Sequence, residues 1–183
     1  MKQIDNKTVF SDNQGHYLIM EEITLESCKN VIEYILEANL SDDRPSVINL
    51  FICSPGGDFN ASMAVVDIIR GSSIPVRTIG LGQIASAALI IFLAGTKGCR
   101  ILTPNTSILS HQFSSASEGK RHELLSAVKE FNLLETRMIA HYKKCTNLSE
   151  IEIKEKLLPA SDIWLSSEEA LVLGLCDEVK NLA

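Results

Sequence analysis

Apolar and polar residues alternate through the middle of the chain in a repeating order that predicts strands followed by helices. A β-prone run at 47–53 stops at the turn 54–57, and residues 61–70 then carry apolar side chains at helical spacing up to Gly71. Further runs typical of strands occupy residues 74–79, 100–103 and 107–110. Because a repeated strand–helix order requires crossover connections, the pattern predicts an α/β fold with a largely parallel sheet.

The flanking regions extend this pattern at both ends. Residues 16–20 form a run typical of a strand, and residues 25–38 have apolar spacing typical of a helix. Residues 175–179 again form a run typical of a strand. Ser-x-x-Glu sequences beginning at Ser149 and Ser166 predict two helix starts, and the second of these helices should end at Gly174. The longest predicted helix covers 119–145, and its apolar stripe consists of Leu124, Val128, Phe131, Leu134 and Met138.

The most apolar segment covers residues 84–94, between Gly82 and Gly95. A helix of this length is too short to cross the hydrocarbon core of a membrane. We therefore predict a buried helix over the whole segment.

Composition and charge exclude several classes of protein. The 183 residues suit one domain, 1–183, with a sizeable core, and 22% charged residues is ordinary for a folded soluble chain. The net charge of −6 argues against nucleic acid or a membrane surface as the main partner, because both require clustered basic residues.

Cysteine usage indicates the compartment. The five cysteines are far apart, with no Cys-x-x-Cys sequence and no neighbouring histidine cluster, so neither a disulfide framework nor a metal site is expected. Residues 1–7 are polar, with no apolar stretch behind them that would indicate a secretory signal. Both features favour a cytoplasmic or equivalent reducing location.

Ser86 is the first candidate for chemistry. Small residues surround it in the sequence Gly82-Gln83-Ile84-Ala85-Ser86-Ala87-Ala88, and the glycine pair 56–57 follows an apolar strand upstream. Small residues allow a substrate carbonyl to approach closely, and paired glycines free N–H groups to face a developing negative charge. The combination indicates a serine nucleophile beside an oxyanion hole, although a serine among alanines is also typical of a buried helix.

A serine nucleophile needs a base, and the chain offers four histidines. His111 ends a predicted strand, the position from which α/β enzymes present side chains to a ligand crevice. A hydrogen-bonded structural histidine would explain that position equally well. His16 lies near the start of the chain, and exposure to solvent is the simplest interpretation of His122 and His141 on the long helix.

Four motifs, read in order, give the chain a specific resemblance. These are Ser54-Pro55-Gly56-Gly57, Gly82-Gln83-x-Ala85-Ser86, His111-Gln112 and Asp162-x-x-Leu165-Ser166-x-x-Glu169-Ala170. Together they resemble the proteolytic subunits of the Clp protease, the ClpP family. The likeness extends over about residues 47–179 and implies the α/β spiral of β-α units that ClpP shares with crotonases.

The resemblance assigns a role to each candidate residue. Ser86 becomes the nucleophile, His111 the general base and Asp162 the carboxylate that orients His111. The backbone N–H groups of Gly57 and Ala87 become the oxyanion hole. On its own, Asp162 is typical of a capping or loop carboxylate. The implied activity is that of a serine endopeptidase that works through an acyl-enzyme, with no metal and no cofactor.

The resemblance also implies an assembly and partners. ClpP subunits form seven-membered rings that stack as a tetradecamer through a handle helix, here in region 112–146, and several ClpP-like subunits can share a ring. The substrates would be peptides and unfolded proteins. The chain has no Gly-x-x-x-x-Gly-Lys-[Ser/Thr] loop, so an AAA+ Clp unfoldase would have to supply ATP-driven unfolding.

Two other functions fit parts of the sequence. A crotonase-type acyl-CoA hydratase or isomerase would share the fold and the oxyanion hole, but it uses carboxylates and needs no Ser–His pair. A non-catalytic ring subunit would assemble and bind partners without hydrolysing peptides.

The chain departs from the family pattern in four places, and one of these is the stretch between Cys145 and Asp162, which is slightly longer than in the family. Segment 113–119 lacks the proline and most glycines that the family has in its substrate groove, so groove shape and ring pairing are expected to differ. The part before Tyr17 is short for an axial-pore loop, which predicts altered gating. Asn49 stands where the family often offers an aromatic to its ATPase, and we expect its unpartnered amide to weaken docking, although Phe51 keeps an apolar side chain on the same strand face.

Overall fold

The computed structural model describes residues 11–12 and 15–182, and the expectations about the first ten residues lie outside this part. Its strands are β1 (Ser11–Asp12), β2 (His16–Ile19), β3 (Ile48–Ser54), β4 (Val76–Ala85), β5 (Arg100–Leu102), β6 (Ser107–Ser110), β7 (Ile163–Ser166) and β8 (Glu178–Val179). Its helices are α1 (Leu25–Leu40), α2 (Phe59–Gly71), α3 (Ala87–Leu93), α4 (Arg121–Cys145), α5 (Glu150–Lys156) and α6 (Ser167–Val172).

A largely parallel sheet forms the centre of the molecule, as predicted. Its strand order is β1-β2-β3-β4-β5-β8, and all neighbours after the β1–β2 pair are parallel. β4 is longer than the predicted strand 74–79 and divides between two partners. Its first half pairs with β5, and beyond Gly82, which has a φ of 59°, its second half pairs with β6. The sequence interpretation missed β7, which lies antiparallel to β6.

The predicted helix over 84–94 is wrong at its start. Ile84 and Ala85 belong to β4 and pair with Ile108 and Leu109 of β6. An apolar run does not distinguish a buried strand from a buried helix, so the boundary inside this run has no periodic signal. Helix α3, which follows, is buried along its whole length, as predicted. None of the helices in the described residues combines the length and apolarity that a membrane crossing requires.

Helix α4 is buried at one end only. The residues of 121–130 are exposed except for half-buried Ala127, whereas Leu134 and Met138 of the predicted stripe belong to the core. Leu124 and Val128, in the same stripe, are 39% and 52% exposed. The first half of α4 therefore extends away from the body with apolar side chains that nothing in the described chain covers.

Both predicted capping boxes are present. The Ser149 side chain accepts a hydrogen bond from the N–H of Glu152 while the Glu152 carboxylate accepts from the N–H of Ser149. That backbone hydrogen bond is the main reason why the pKa of Glu152 falls to about 2. Ser166 and Glu169 repeat the arrangement at the start of α6, directly after β7.

A buried ion pair fixes the C-terminal end of the chain to the sheet. Arg100 is 5% exposed, and its guanidinium donates to both oxygens of Asp177 at 3.0 and 2.6 Å and to the Cys145 carbonyl at 2.8 Å. Burial opposes ionisation of Asp177, but the hydrogen bonds and charge of Arg100 outweigh it, so the pKa of Asp177 lies below its ordinary value. The pair links β5 to the residue before β8, and the bond to Cys145 links it to the end of α4. Breaking it would be costly, because either charge would then be unpaired in a buried place.

The expectation that the Asn49 amide has no partner is wrong for its oxygen. Asn49 is buried, but its side-chain oxygen accepts a hydrogen bond from Arg77 at 3.1 Å across the β3–β4 ladder. The side-chain oxygen of Asn49 is therefore paired, so the desolvation penalty expected for an unpartnered amide does not apply to this oxygen. Phe51, two residues along the same strand, makes an edge-on ring contact with His16.

Candidate active site

Ser86 forms a sharp turn between β4 and α3. It is the only residue other than glycine with a positive φ, 53°, in the described part of the chain. Two backbone hydrogen bonds fix the turn, one from the Ser86 N–H to the Leu109 carbonyl at 2.9 Å and one from the Leu89 N–H to the Ser86 carbonyl at 3.0 Å. A non-glycine residue held in this region is unusual and often marks a functional position. The turn directs the half-exposed side chain away from the core.

Gly56 lies directly against this turn. Its φ is 94°, and a Cβ added to it would lie 2.7 Å from the Ser86 Cβ and 2.6 Å from the Ala85 carbonyl oxygen. Only glycine allows the two backbone segments to approach this closely.

Replacing Gly56 by alanine should therefore displace Ser86. We expect kcat for peptide hydrolysis to fall by about tenfold or more, because small displacements of reacting groups have large effects on rate. The matched control is Gly174→Ala, since Gly174 also has a positive φ of 72° but has no atom within 4 Å of an added Cβ. Equal activities of the two variants, measured at the same folded concentration, would contradict this account of Gly56.

The sheet brings His111 to Ser86. β6 runs parallel to the second half of β4, with Ala85 opposite Leu109, so both chains leave the sheet at the same edge. The His111 Nε2 atom lies 2.7 Å from the Ser86 Oγ atom. In the tautomer that base catalysis requires, the Ser86 hydroxyl donates to Nε2, and Nδ1 carries the other hydrogen.

Asp162 is close to His111 in the strand register but does not contact it. The antiparallel β6–β7 ladder ends with Ser110 opposite Ile163, and one step further places His111 opposite Asp162. The Asp162 side chain is exposed, and within the described residues no hydrogen bond or ion pair joins it to His111. The structure therefore brings two of the three predicted residues into contact and the third only to the neighbouring position.

Gly57 and Ala87, the residues predicted to supply the oxyanion hole, both line the pocket that contains Ser86. The N–H of Ile23 donates to Gly56 and the N–H of Asp58 donates to Ile23, at 2.8 and 2.7 Å. In such a parallel bridge the N–H of the middle residue, Gly57, points to the opposite side. Ala87 is the first residue of α3, and its N–H has no partner within the helix. In the part of the chain that the structure describes, neither N–H has a protein acceptor.

A pocket of about 500 Å³ opens beside the Ser86–His111 pair. Its polar lining includes Ser86, His111, Asp58, Asn60, Ser114 and Ser115. One wall is apolar and consists of Phe59, Ile90, Phe113, Leu134 and Met138. Tyr142 also lines it. No local motif marks Tyr142, because its place here depends on how α4 packs against α3 and α5. Segment 113–119, which by resemblance corresponds to the family's substrate groove, adopts no regular structure.

The expectation that His141 is exposed is wrong. His141 is 2% exposed, its Nε2–H donates to the Ile90 carbonyl at 2.8 Å, and its Nδ1 accepts from Arg70 at 2.8 Å. Burial, assisted by the Arg70 charge, lowers the pKa of His141 to about 4, so the ring is neutral. Both ring nitrogens are occupied, which makes His141 a structural residue. His122 is exposed, as predicted.

Comparisons with known proteins identify the family of the chain. The model of the Clp protease family matches residues 5–182. ATP-dependent Clp protease proteolytic subunit 2 of Treponema denticola is 32% identical over 168 residues, 91% of this chain and 82% of the relative. The protein of the same name from Chlamydia trachomatis is 33% identical over 88% of this chain and 78% of its own length.

A solved structure extends the likeness to the fold. A point mutant of ClpP1 from Listeria monocytogenes superposes with a TM-score of 0.81, is 28% identical, and the match covers 92% of both chains. The predicted ClpP-like architecture of β-α units is thereby confirmed. On the family match and these relatives, the chain belongs to the Clp protease family.

Proposed function

We propose that this chain is a serine endopeptidase in which Ser86, His111 and Asp162 form the catalytic triad. The observation that carries the proposal is the 2.7 Å contact between Ser86 Oγ and His111 Nε2 beside two N–H groups without protein acceptors in the described residues. A crotonase-type hydratase has no need for a Ser–His pair. The non-catalytic alternative draws on one observation, the missing hydrogen bond between Asp162 and His111.

The chemistry follows from the positions of these groups. Ser86 Oγ attacks the carbonyl carbon of a peptide bond and passes its proton to His111 Nε2. The oxygen of the tetrahedral intermediate accepts hydrogen bonds from the N–H groups of Gly57 and Ala87. His111 then protonates the leaving amine, and water hydrolyses the acyl-Ser86 ester by the same steps in reverse order.

The apolar wall of the pocket supports a preference for apolar side chains next to the attacked carbonyl. We expect kcat/KM for a peptide with leucine or methionine at that residue to exceed the value for aspartate by about tenfold or more, because a buried unpaired carboxylate is costly. Fluorogenic peptides that differ only at this residue measure the ratio. Hydrolysis must disappear in Ser86→Ala preparations, which excludes a contaminating protease, and an equal rate for leucine and aspartate would refute the assigned pocket.

The exposed half of α4 supports a ring assembly with stacked rings. Leu124, Leu125 and Val128 are 39%, 59% and 52% exposed on a helix that extends from the body. Identical head-to-tail contacts close into a ring, and a second ring would cover these side chains. An AAA+ unfoldase would dock on such a ring, and other ClpP-like subunits could share it. The cytoplasmic location stays a prediction.

The mass in solution tests this assembly. Fourteen copies of the 20.1 kDa chain would give about 280 kDa in light scattering at micromolar concentration. Val128→Lys should halve this mass, because it places a charge in the apolar contact, whereas Glu130→Lys, outside the stripe, should not. A wild-type monomer would refute the ring, and a wild-type single ring would refute the role of α4 in stacking.

A further inference from the structure

The residues on either side of His111 are held by backbone carbonyls of a distant segment. The Ser110 hydroxyl donates to the Leu157 carbonyl at 2.7 Å, and the Gln112 side-chain amide donates to the Leu158 carbonyl at 3.0 Å. Ser110 is 1% exposed, so water does not compete for its hydrogen bond. The position of His111 therefore depends on where residues 157–158 lie.

A third group completes this network. The Tyr142 hydroxyl lies 3.0 Å from the Ser110 Oγ atom, and both side chains are buried. Ser110 has one hydroxyl hydrogen, which it donates to Leu157, so the Tyr142 O–H must be the donor in the Tyr142–Ser110 bond. Burial raises the pKa of Tyr142 to about 12, which keeps the phenol protonated and able to donate.

The network joins the three parts of the chain that meet at the site. Tyr142 belongs to α4, Ser110 ends β6 immediately before His111, and Leu157 lies five residues before Asp162. The two hydrogen bonds through the Ser110 hydroxyl thus connect α4 to β6, which leads to His111, and to residue 157, which precedes Asp162. Tyr142 also lines the pocket beside Ser86.

We propose that Tyr142 is a positioning residue for His111, and that its hydroxyl, acting through Ser110, sets the alignment of the imidazole with Ser86. The inference rests on the proposed role of His111 as the base. Packing alone does not require the hydroxyl, because a phenylalanine ring would fill the same space. Without the Tyr142 hydrogen bond, the Ser110 hydroxyl keeps only its bond to the Leu157 carbonyl, and the end of β6 gains freedom at the residue that precedes His111.

The test compares Tyr142→Phe with the wild type in two measurements on the assembled protein. A fluorophosphonate probe gives the number of Ser86 sites that react and the rate constant per site, and peptide hydrolysis gives kcat and KM. We expect the labelling rate constant and kcat to fall together by about tenfold, with KM and the number of reactive sites unchanged, because only the alignment of the reacting groups is lost. A purely structural role would instead reduce the number of reactive sites and leave the rate per site unchanged.

Two further variants make the result specific. Ser110→Ala should be at least as slow as Tyr142→Phe, and the double variant no slower than Ser110→Ala, because both act through one chain of hydrogen bonds. The matched control is Thr106→Val, which removes another buried hydroxyl, one that donates to the Gly80 carbonyl at 2.9 Å. That variant should lose stability but keep the wild-type rate per site.

The outcomes separate this inference from the proposed function. If the wild type labels at Ser86 and Tyr142→Phe labels at the same rate per site, the positioning role is overturned while the catalytic assignment stands. If the wild type itself neither labels at Ser86 nor hydrolyses peptides, the proposed function has failed.

Discussion

Replacing Ser86 by alanine is expected to reduce peptide hydrolysis by about 10⁴-fold or more, the size of effect seen when the nucleophile of a serine triad is removed. The physical reason is that, in the described residues, no other hydroxyl in contact with His111 is available to form the acyl-enzyme. The assay is hydrolysis of a fluorogenic peptide with an apolar residue before the cleaved bond.

The matched control for this variant is Ser114→Ala. Ser114 lines the same pocket but has no hydrogen bond to His111, so its loss should change kcat by less than about twofold. The mass in solution should be the same for both variants, since Ser86 is half-exposed and its side chain makes no capping hydrogen bond. Most of the wild-type activity surviving in Ser86→Ala would remove Ser86 from the mechanism.

Asp162→Asn should also produce a large effect, a fall in kcat of about 10² to 10⁴-fold, because the carboxylate fixes the tautomer of the base and stabilises its charged form. The side chain is exposed and forms no hydrogen bond or ion pair with the described residues, so the substitution should leave stability unchanged. A large loss of rate without a loss of stability would mean that Asp162 reaches His111 in the working enzyme.

A neighbouring carboxylate provides the control for Asp162. Glu168 is exposed at the start of α6, and Glu168→Gln removes a charge without changing a predicted site residue. If Asp162→Asn and Glu168→Gln are both as active as the wild type, Asp162 takes no part in catalysis and His111 acts without a carboxylate partner.

The sequence predicted most of the helices and strands because their signals are local. The capping serines Ser149 and Ser166 mark helix starts by their own hydrogen bonds, and the run that became β3 ends at a glycine turn. The boundary at Ser86 could not be predicted in the same way. Apolar residues continue on both sides of it, and only the pairing of Ile84 and Ala85 with β6 decides that the strand continues there.

The same difference between local signals and contacts of distant segments explains what could be predicted of the site. The motifs supplied Ser86, His111 and Asp162, but the 2.7 Å contact depends on the register between β4 and β6, which no local pattern contains. β7 was missed because a four-residue strand followed immediately by a helix has too short a pattern to recognise. His141 was misjudged because its burial depends on Arg70 and Ile90, which are distant in the chain.

Labelling with a fluorophosphonate probe, followed by mass spectrometry of the peptides, tests the central claim most directly. The account predicts one adduct per chain on Ser86, formed because His111 accepts the proton of the attacking hydroxyl. It also predicts that His111→Ala slows the reaction by about 10³-fold or more. An unmodified Ser86, or an adduct that forms equally fast without His111, would contradict the assignment of this chain as a serine peptidase.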